Sequence, residues 1–410
     1  MNRGRGIVAT IERRTGITPS GLAFLAIDLV GWIAARLIGS KVLFLMVYGA
    51  ATLFVVLFIV GKRKPAITAR RSQLPSRVRE GQTVAVEIEF TSTRRTGSIV
   101  FEEELSPLLG NKVRVLVPSL TANGSIKHSY AFTPRLRGWL DVGPMTAIWS
   151  DPFGLTRSRL VLKEPEKVIV HPTTQRVHDR VLSREWEDPP IRPPISKPWP
   201  TGFEFYGMRD YVPGDDPRRI VWRAVARTGR YLVREAEQGI TDRVTLIIDN
   251  DARWHTKGDP SDTFETAVRA AASLGVRHLK DGFAVTLETS AGRIAEGLRG
   301  SRKQMTFLDE MSKLKRSNKP LSEAIQRVLV DPRRDSHNVL VSPHLDERTA
   351  GMLKLLMDRG GSILFVHLLT DESDPASLNR AGALGCQLVE LQADAPIDAA
   401  FSRTVGAGIR

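Results

Sequence analysis

The chain is short of cysteine and of acid. Cys386 is its one thiol among 410 residues, which excludes an internal disulfide and suits a reducing compartment. Asp and Glu number 45 against 59 Lys and Arg, giving a formal charge of +14. Nucleic-acid binding would account for such an excess. Much of it, however, flanks apolar segments near the N-terminus, where positive charge sets membrane orientation instead. The catalytic spacings are absent too: no Gly-x-x-x-x-Gly-Lys-Ser/Thr phosphate loop, no Gly-x-Gly-x-x-Gly after a strand, no His-Glu-x-x-His and no Gly-x-Ser-x-Gly elbow. His255 and His344 stand alone, without a partner at catalytic spacing. These absences leave enzyme activity without support, and the expectation is a non-enzymatic protein with no cofactor.

What the chain does have is apolar length. Gly21 to Ile38 and Val42 to Val60 are predominantly apolar, and at ~1.5 Å per residue each crosses a hydrocarbon core of roughly 30 Å. Only Gly39, Ser40 and Lys41 join them, so residues 21–60 read as a transmembrane hairpin behind a basic segment, residues 1–20. Arg3, Arg5, Arg13 and Arg14 precede the hairpin, and Lys62, Arg63, Lys64, Arg70 and Arg71 follow it. The positive-inside bias therefore puts both ends, and the soluble bulk, in the cytoplasm beneath the cell membrane. Asp28 lies inside the first run and calls for a polar partner on the neighbouring helix or another subunit.

Residues 72–175 change character. Thr83 to Phe90 alternates apolar and polar residues, Ile99 to Leu105 and Val113 to Val117 are apolar and strand-like, and Asn123-Gly124 marks a turn. The expectation is an all-β, immunoglobulin-like sandwich, with Trp139, Trp149 and Phe153 in its core and Asp151-Pro152 and Gly154 as its closing turn. Six prolines crowd residues 183–202, which read as an extended linker or strap. Residues 203–410 then alternate strands (from Val244 to Ile248 onward) with amphipathic helices such as Thr263 to Lys280. This is the pattern of a doubly wound α/β domain with a parallel sheet.

The most informative segment is Arg209 to Glu237. Asp216 reads as an N-cap, Pro217 as the first helical position and Gly229 as the stop of one short helix. Arg219, Arg223 and Arg227 recur at four-residue spacing, so one face of that helix stacks like charges and needs an anion. Asp210, Asp215, Asp216, Glu235 and Glu237 nearly balance the seven arginines, Arg209 and Arg234 among them. An internal ion-pair network and an external anion, phosphate or an acidic partner surface, both remain open.

MRDYVPGDDPRRIVWRAVARTGRYLVRE, followed by an apolar strand ending in Asp249, resembles the signature of the bacterial membrane proteins grouped as domain of unknown function 58. RGWLDVGPMTAIWSDPFGL, Arg137 to Leu155, resembles the end of the β domain that precedes it there. The resemblance implies a von Willebrand factor A-like C-terminal domain and a MoxR-type AAA ATPase as partner. Von Willebrand factor A domains often hold a divalent cation through Asp-x-Ser-x-Ser at this strand end. Here Asp249 matches, Asp251 replaces the first serine and Arg253 replaces the second, a degenerate remnant from which no metal is expected. Together these readings describe a membrane-anchored, cytoplasm-facing interaction or scaffold protein. An anionic-lipid or nucleic-acid binder and a metal-dependent adhesion module or enzyme are the alternatives. The aromatics are not interleaved with the basic stripe as stacking platforms would be, so no nucleic acid is expected. Oligomeric state is left open.

Overall fold

The computed structural model describes Glu12 and residues 15–177, 204–212, 217–237, 243–256, 262–331, 337–359, 361–369, 375–393 and 395–402. The proline-rich stretch 183–202, the basic residues Arg3 to Arg14, and Asp215 and Asp216 lie outside these. The chain divides into two units, Met1–Thr173 and Thr174–Arg410, so the two apolar helices and the β domain form one unit rather than two.

In the first unit, Thr18 caps helix α1 (Pro19–Ile38), and its side chain accepts from the Gly21 amide. Ser40 likewise caps α2 (Lys41–Lys62). Both helices are long and apolar enough to cross a membrane. Their large side chains stand outward, Leu37 at 81 % and Leu45 at 75 % exposure. Asp28 is half-buried and has no hydrogen-bond partner among the described residues.

The β domain starts at Ile67 and packs two sheets face to face. One, in the order β1-β3-β6, is antiparallel and uses β1 (Ile67–Arg71), β3 (Val84–Ser92) and β6 (Ser125–Phe132). The other runs β2-β9-β7-β4-β5 through β2 (Arg77–Arg79), β9 (Glu166–His171), β7 (Gly138–Ser150), β4 (Ile99–Leu105) and β5 (Val113–Val117). A further strand, β8 (Arg157–Lys163), also pairs with β7. Period-two alternation does the sorting: Val86, Ile88 and Phe90 of β3 face inward and meet Phe101 and Val142 of the opposite sheet in one core. Two expectations are corrected. Trp139 and Phe153 are not core but exposed, at 46 % and 67 %. The turn at Asp151 and Gly154 does not close the domain, because β8 and β9 follow it.

That turn has a different purpose. Asp151 accepts hydrogen bonds from the Phe153 amide and from the amide and hydroxyl of Thr156. This holds Leu155 and Thr156 against the open end of the hairpin. Thr18 N–H donates to Leu155 O at 2.9 Å and Thr18 Oγ1 to Gly154 O at 2.7 Å, while Trp149 Nε1 and Ser158 Oγ donate to Gly61 O at 2.9 and 2.8 Å. Gly21 and Gly61 permit the fit, since a Cβ on either would overlap Leu155 O or Thr156 Oγ1. Across the sandwich, buried Arg71 pairs with Glu103 and, at 2.8 Å, with Glu166, and Tyr130 donates to Glu103 at 2.6 Å. Burial and that hydrogen bond push the Tyr130 phenol upward.

The second unit begins with a ribbon of β10 (Glu204–Asp210) and β11 (Leu232–Glu237), whose connection contains helix α3 (Trp222–Thr228). Its main sheet is assembled from β12 (Arg243–Ile248), β13 (Ala284–Thr289), β14 (Gly292–Arg299), β15 (His337–Ser342), β16 (Ser362–Leu369) and β17 (Gln387–Gln392). They lie in the order β14-β13-β12-β15-β16-β17. Five strands are parallel, as their apolar runs require, and β14 adds an antiparallel edge that the sequence reading did not anticipate. Alternate residues of β12 serve opposite faces. Leu246 and Ile248 join the core under α4 (Thr263–Lys280) and α5 (Gln304–Lys313). Ile247 joins the core under α6 (Leu321–Val330) and α7 (Glu347–Asp358). Two short helices, α8 (Pro375–Ala383) and α9 (Ile397–Ser402), complete the layers. In chain order the strands read 3-2-1-4-5-6, the doubly wound arrangement, with its switch point between β12 and β15.

Candidate functional site

The signature segment does not form one helix. Pro217–Arg219 is a turn of 3-10 helix, Ile220 bridges to Val233, and α3 starts only at Trp222. Val221 N–H donates to Leu232 O at 2.8 Å, so the ladder with β11 draws the backbone out of helical geometry at the point where the helix should run through. The three-arginine column is thereby broken. Arg223 and Arg227 share α3, and Arg219 belongs to the preceding turn. Gly229 at φ 70° ends the helix, as its position implies.

The expected residues are distributed as follows. Arg209 Nη1 donates to Asp210 O at 3.0 Å, and Asp210 pairs with Arg230, an arginine the sequence reading did not single out. Arg223 and Arg227 are exposed and have no ion-pair partner among the described residues. Arg219 and Arg234 are placed by their backbone in the 3-10 turn and in β11. None of the described side chains of α3 is buried. Trp222 is 61 % and Tyr231 56 % exposed, and their rings meet edge-on at 6.5 Å. Arg223 and Arg227 lie on the same short helix as Trp222.

The second candidate lies where ligands collect in open α/β sheets, outside the carboxyl ends of β12, β13 and β15. Asp249, only 1 % exposed, follows β12 and is held by Asp251 N–H at 3.0 Å, by Ser342 Oγ at 2.7 Å and by Ser290 Oγ at 3.5 Å. Ser342 Oγ also lies 2.6 Å from His344 O and accepts from His344 N–H. A hydroxyl has one hydrogen, and a backbone carbonyl can only accept it. The short contact to Asp249 therefore closes when Asp249 itself carries a proton. Burial favours the same form, pushing Asp249 up to about 6.

Asp251 has another fate. Arg253 chelates its carboxylate, Nε lying 3.0 and 3.1 Å from the two oxygens and Nη2 2.5 Å from Oδ2. Burial opposes ionisation of Asp251, but these contacts outweigh it and hold the group below the usual carboxylate range. A divalent ion binding through Asp251 would have to displace the guanidinium, and both oxygens of Asp249 are already engaged by the Asp251 amide and the Ser342 and Ser290 hydroxyls. The donor set does not fit such an ion. No group of three or more His, Cys, Asp or Glu residues poised for a metal occurs among the described residues.

His255 is structural. Its Nε2 lies 2.8 Å from Asp249 O, which only accepts, so Nε2 bears the hydrogen and Nδ1 accepts from Thr263 Oγ1 at 3.1 Å. Burial lowers its pKa to about 4 and keeps the ring neutral. Arg316 clamps the same loop through His255 O, Thr256 O and Asp262, and Ser317 pairs with it through Asn250 O and Ala252 N–H at 2.7 Å each. On the rim, Trp254 stacks on His344 with ring centroids 3.8 Å apart. The sequence reading missed Ser290, Ser342 and residues 315–317. The one signal that could have found the serines was their place directly after or at the end of apolar strands. Cys386 is buried, and burial pushes its thiol up to about 11.

Residues 207–392 match the model of a family described as protein of unknown function, DUF58. A search of curated proteins gave no match. Among solved structures, the chain is similar to a CARDB domain from Pyrococcus furiosus at 17% identity and a TM-score of 0.19, over 26% of this chain and 93% of that one. It is similar to a β-glucosidase from Listeria innocua at 13% identity and 0.18, over 27% of this chain and 16% of that one. A third is the transglutaminase of red sea bream, at 15% identity and 0.18, over 27% and 15%. Scores this low support no argument about fold or function. The family match is of another kind, since it runs from within β10 through the ribbon, α3 and the strand-end site to the last residue of β17, and over those residues it bears out the resemblance to DUF58 proteins.

Proposed function

We propose that the protein is a membrane-anchored interaction module that presents the DUF58 signature ribbon to a soluble protein partner on the cytoplasmic side. The observation that carries this reading is the composition of the α3 surface. Trp222 and Tyr231 stand exposed beside Arg223 and Arg227, and Trp, Tyr and Arg are the residues that dominate binding energy where proteins meet. The basic flanks of the apolar helices favour a cytoplasmic face for this surface, and α1 and α2 serve as its anchor. The strand order 3-2-1-4-5-6, with Asp249 at the switch point, supports a von Willebrand factor A-like reading of the α/β domain. The acids of that domain are satisfied internally, by Arg253 and Ser342, which supports a non-enzymatic role.

An acidic surface is the natural complement of this patch, and the family resemblance puts a MoxR-type AAA ATPase first among candidates. Detergent-solubilised full-length chain, used as bait for the ATPase, should lose capture in an Arg223→Glu/Arg227→Glu variant and in Trp222→Ala, with circular dichroism unchanged. Undiminished capture of the same proteins by folded variants would remove the surface from the proposal.

A further inference from the structure

Beneath the hairpin lies a cavity of about 310 Å³, lined by Glu12, Gly16, Lys62, Lys64, Trp149, Arg157, Ser158 and Arg159. Four of these residues are cations and one is an acid. Glu12 is already engaged, 2.8 Å from Arg157 Nη1. Lys64 and Arg159 have no ion-pair partner among the described residues. Lys62 Nζ lies 5.3 Å from the centre of the Phe58 ring, and Gly16 leaves it room, since a Cβ there would come within 2.9 Å of Nζ. Excess positive charge gathered around a concave, partly walled space is an anion site, and forked guanidinium groups beside ammonium groups suit phosphate oxygens.

Position narrows the anion. Lys62 is the last residue of α2, and Trp149 fixes that helix end by donating to Gly61 O. The keyed turn beside it exposes Phe153 at 67 %. An apolar helix ending in lysine, an indole at its terminus and an exposed phenylalanine are the residues that settle at the headgroup level of a bilayer. We infer that this cavity binds the phosphate of an anionic phospholipid headgroup, drawn from the leaflet into which α2 emerges. The inference rests on the hairpin being the membrane anchor. Free phosphate offers the same chemistry, but it would not need a site at the helix end. A headgroup so held would fix the depth and tilt of the β domain at the membrane surface.

The test uses the full-length chain and a Lys64→Glu/Arg159→Glu variant, whose positions are exposed and outside the ion pairs of the fold. Flotation with neutral phosphatidylcholine vesicles reports the anchor alone, and both proteins should float. Native mass spectrometry from detergent then reads retained lipid. The unmodified chain should keep phosphatidylglycerol over phosphatidylcholine, and the variant should lose that preference by about tenfold or more, as expected for two reversed charges at a lipid surface. Equal phosphatidylglycerol retention by both proteins would overturn the site while leaving the anchor intact. Failure to float would overturn the anchor itself. Displacement of the lipid by millimolar inorganic phosphate as readily as by phosphatidylglycerol would reassign the cavity to free phosphate. Capture of a single-stranded oligonucleotide by the unmodified chain alone, without lipid preference, would reassign it to nucleic acid.

Discussion

Asp249→Asn tests the proton count at the end of β12. The amide has the shape of the carboxylic acid and a fixed hydrogen inventory. Its oxygen accepts from Asp251 N–H, and its nitrogen donates to Ser342 Oγ, which remains free to donate to His344 O. The folded-state pKa, about 6, lies above the ordinary 3.8. The sign follows from this: the stabilising effect of the proton is complete below about 3.8 and is lost as pH rises through about 6. Above that, the fold must hold an ionised carboxylate out of water. Roughly two pKa units at about 1.4 kcal/mol each set that cost near 3 kcal/mol at most. The variant should therefore be more stable than the parent by about 1–3 kcal/mol at pH 8, with the advantage shrinking below pH 6 and nearly gone at pH 4. Hydrogen–deuterium exchange of peptides from β12 and β15 measures this locally. Comparing the two proteins at each pH cancels the opposite dependence of His255. If the variant instead opens about tenfold more readily than the parent at pH 8, a charged Asp249 is what the structure requires and the hydrogen count is wrong.

Three further outcomes follow from the packing. Gly21→Ala should loosen the hairpin from the β domain, costing about 1–3 kcal/mol and exposing residues 151–156 to protease, because the overlap is with backbone at Leu155. The parallel cost of Gly61→Ala should be partly relieved by Thr156→Ala, where the overlap is with a side chain; equal sensitivity of both Gly61 variants would refute the keyed turn. Glu103→Gln should destabilise the sandwich by about 1–3 kcal/mol, since buried Arg71 keeps only the partly exposed Glu166 as a compensating charge, and Arg71→Met/Glu103→Leu should cost less than the single change in urea unfolding. His278, buried with neither ring nitrogen hydrogen-bonded among the described residues, has its pKa lowered to about 3 by burial. The stability it confers is present above pH 6.5 and lost as pH falls, so His278→Phe should flatten acid unfolding of the α/β unit below pH 6 without lowering its stability at pH 7.

Where periodicity is strong, the elements were legible from residues alone. Thr263–Lys280 and Leu321–Val330 form helices at the expected boundaries, and Val84 to Phe90 alternates into the sandwich core, because burial on one face leaves only one register. The signature helix failed for a reason no local rule contains. Its spacing is helical, but Ile220 and Val221 are taken by the ladder with β11, a strand that comes later in the chain. Trp139 and Phe153 failed likewise, since an aromatic at strand spacing does not state which face its sheet will bury.

The sequence by itself determined the two apolar helices with their basic flanks, the alternating strands and the mismatched Asp-x-Asp-x-Arg at a strand end. These depend on the order of neighbouring residues and on transfer from water. Tertiary structure alone decided that Ser342 would share a proton with Asp249 ninety-three positions away, that a turn of the β domain would lock onto Gly21 and Gly61, and that Lys62, Lys64, Arg157 and Arg159 would line one cavity. Each is a meeting of segments distant along the chain, fixed by sheet order and close packing, which residue spacing does not record.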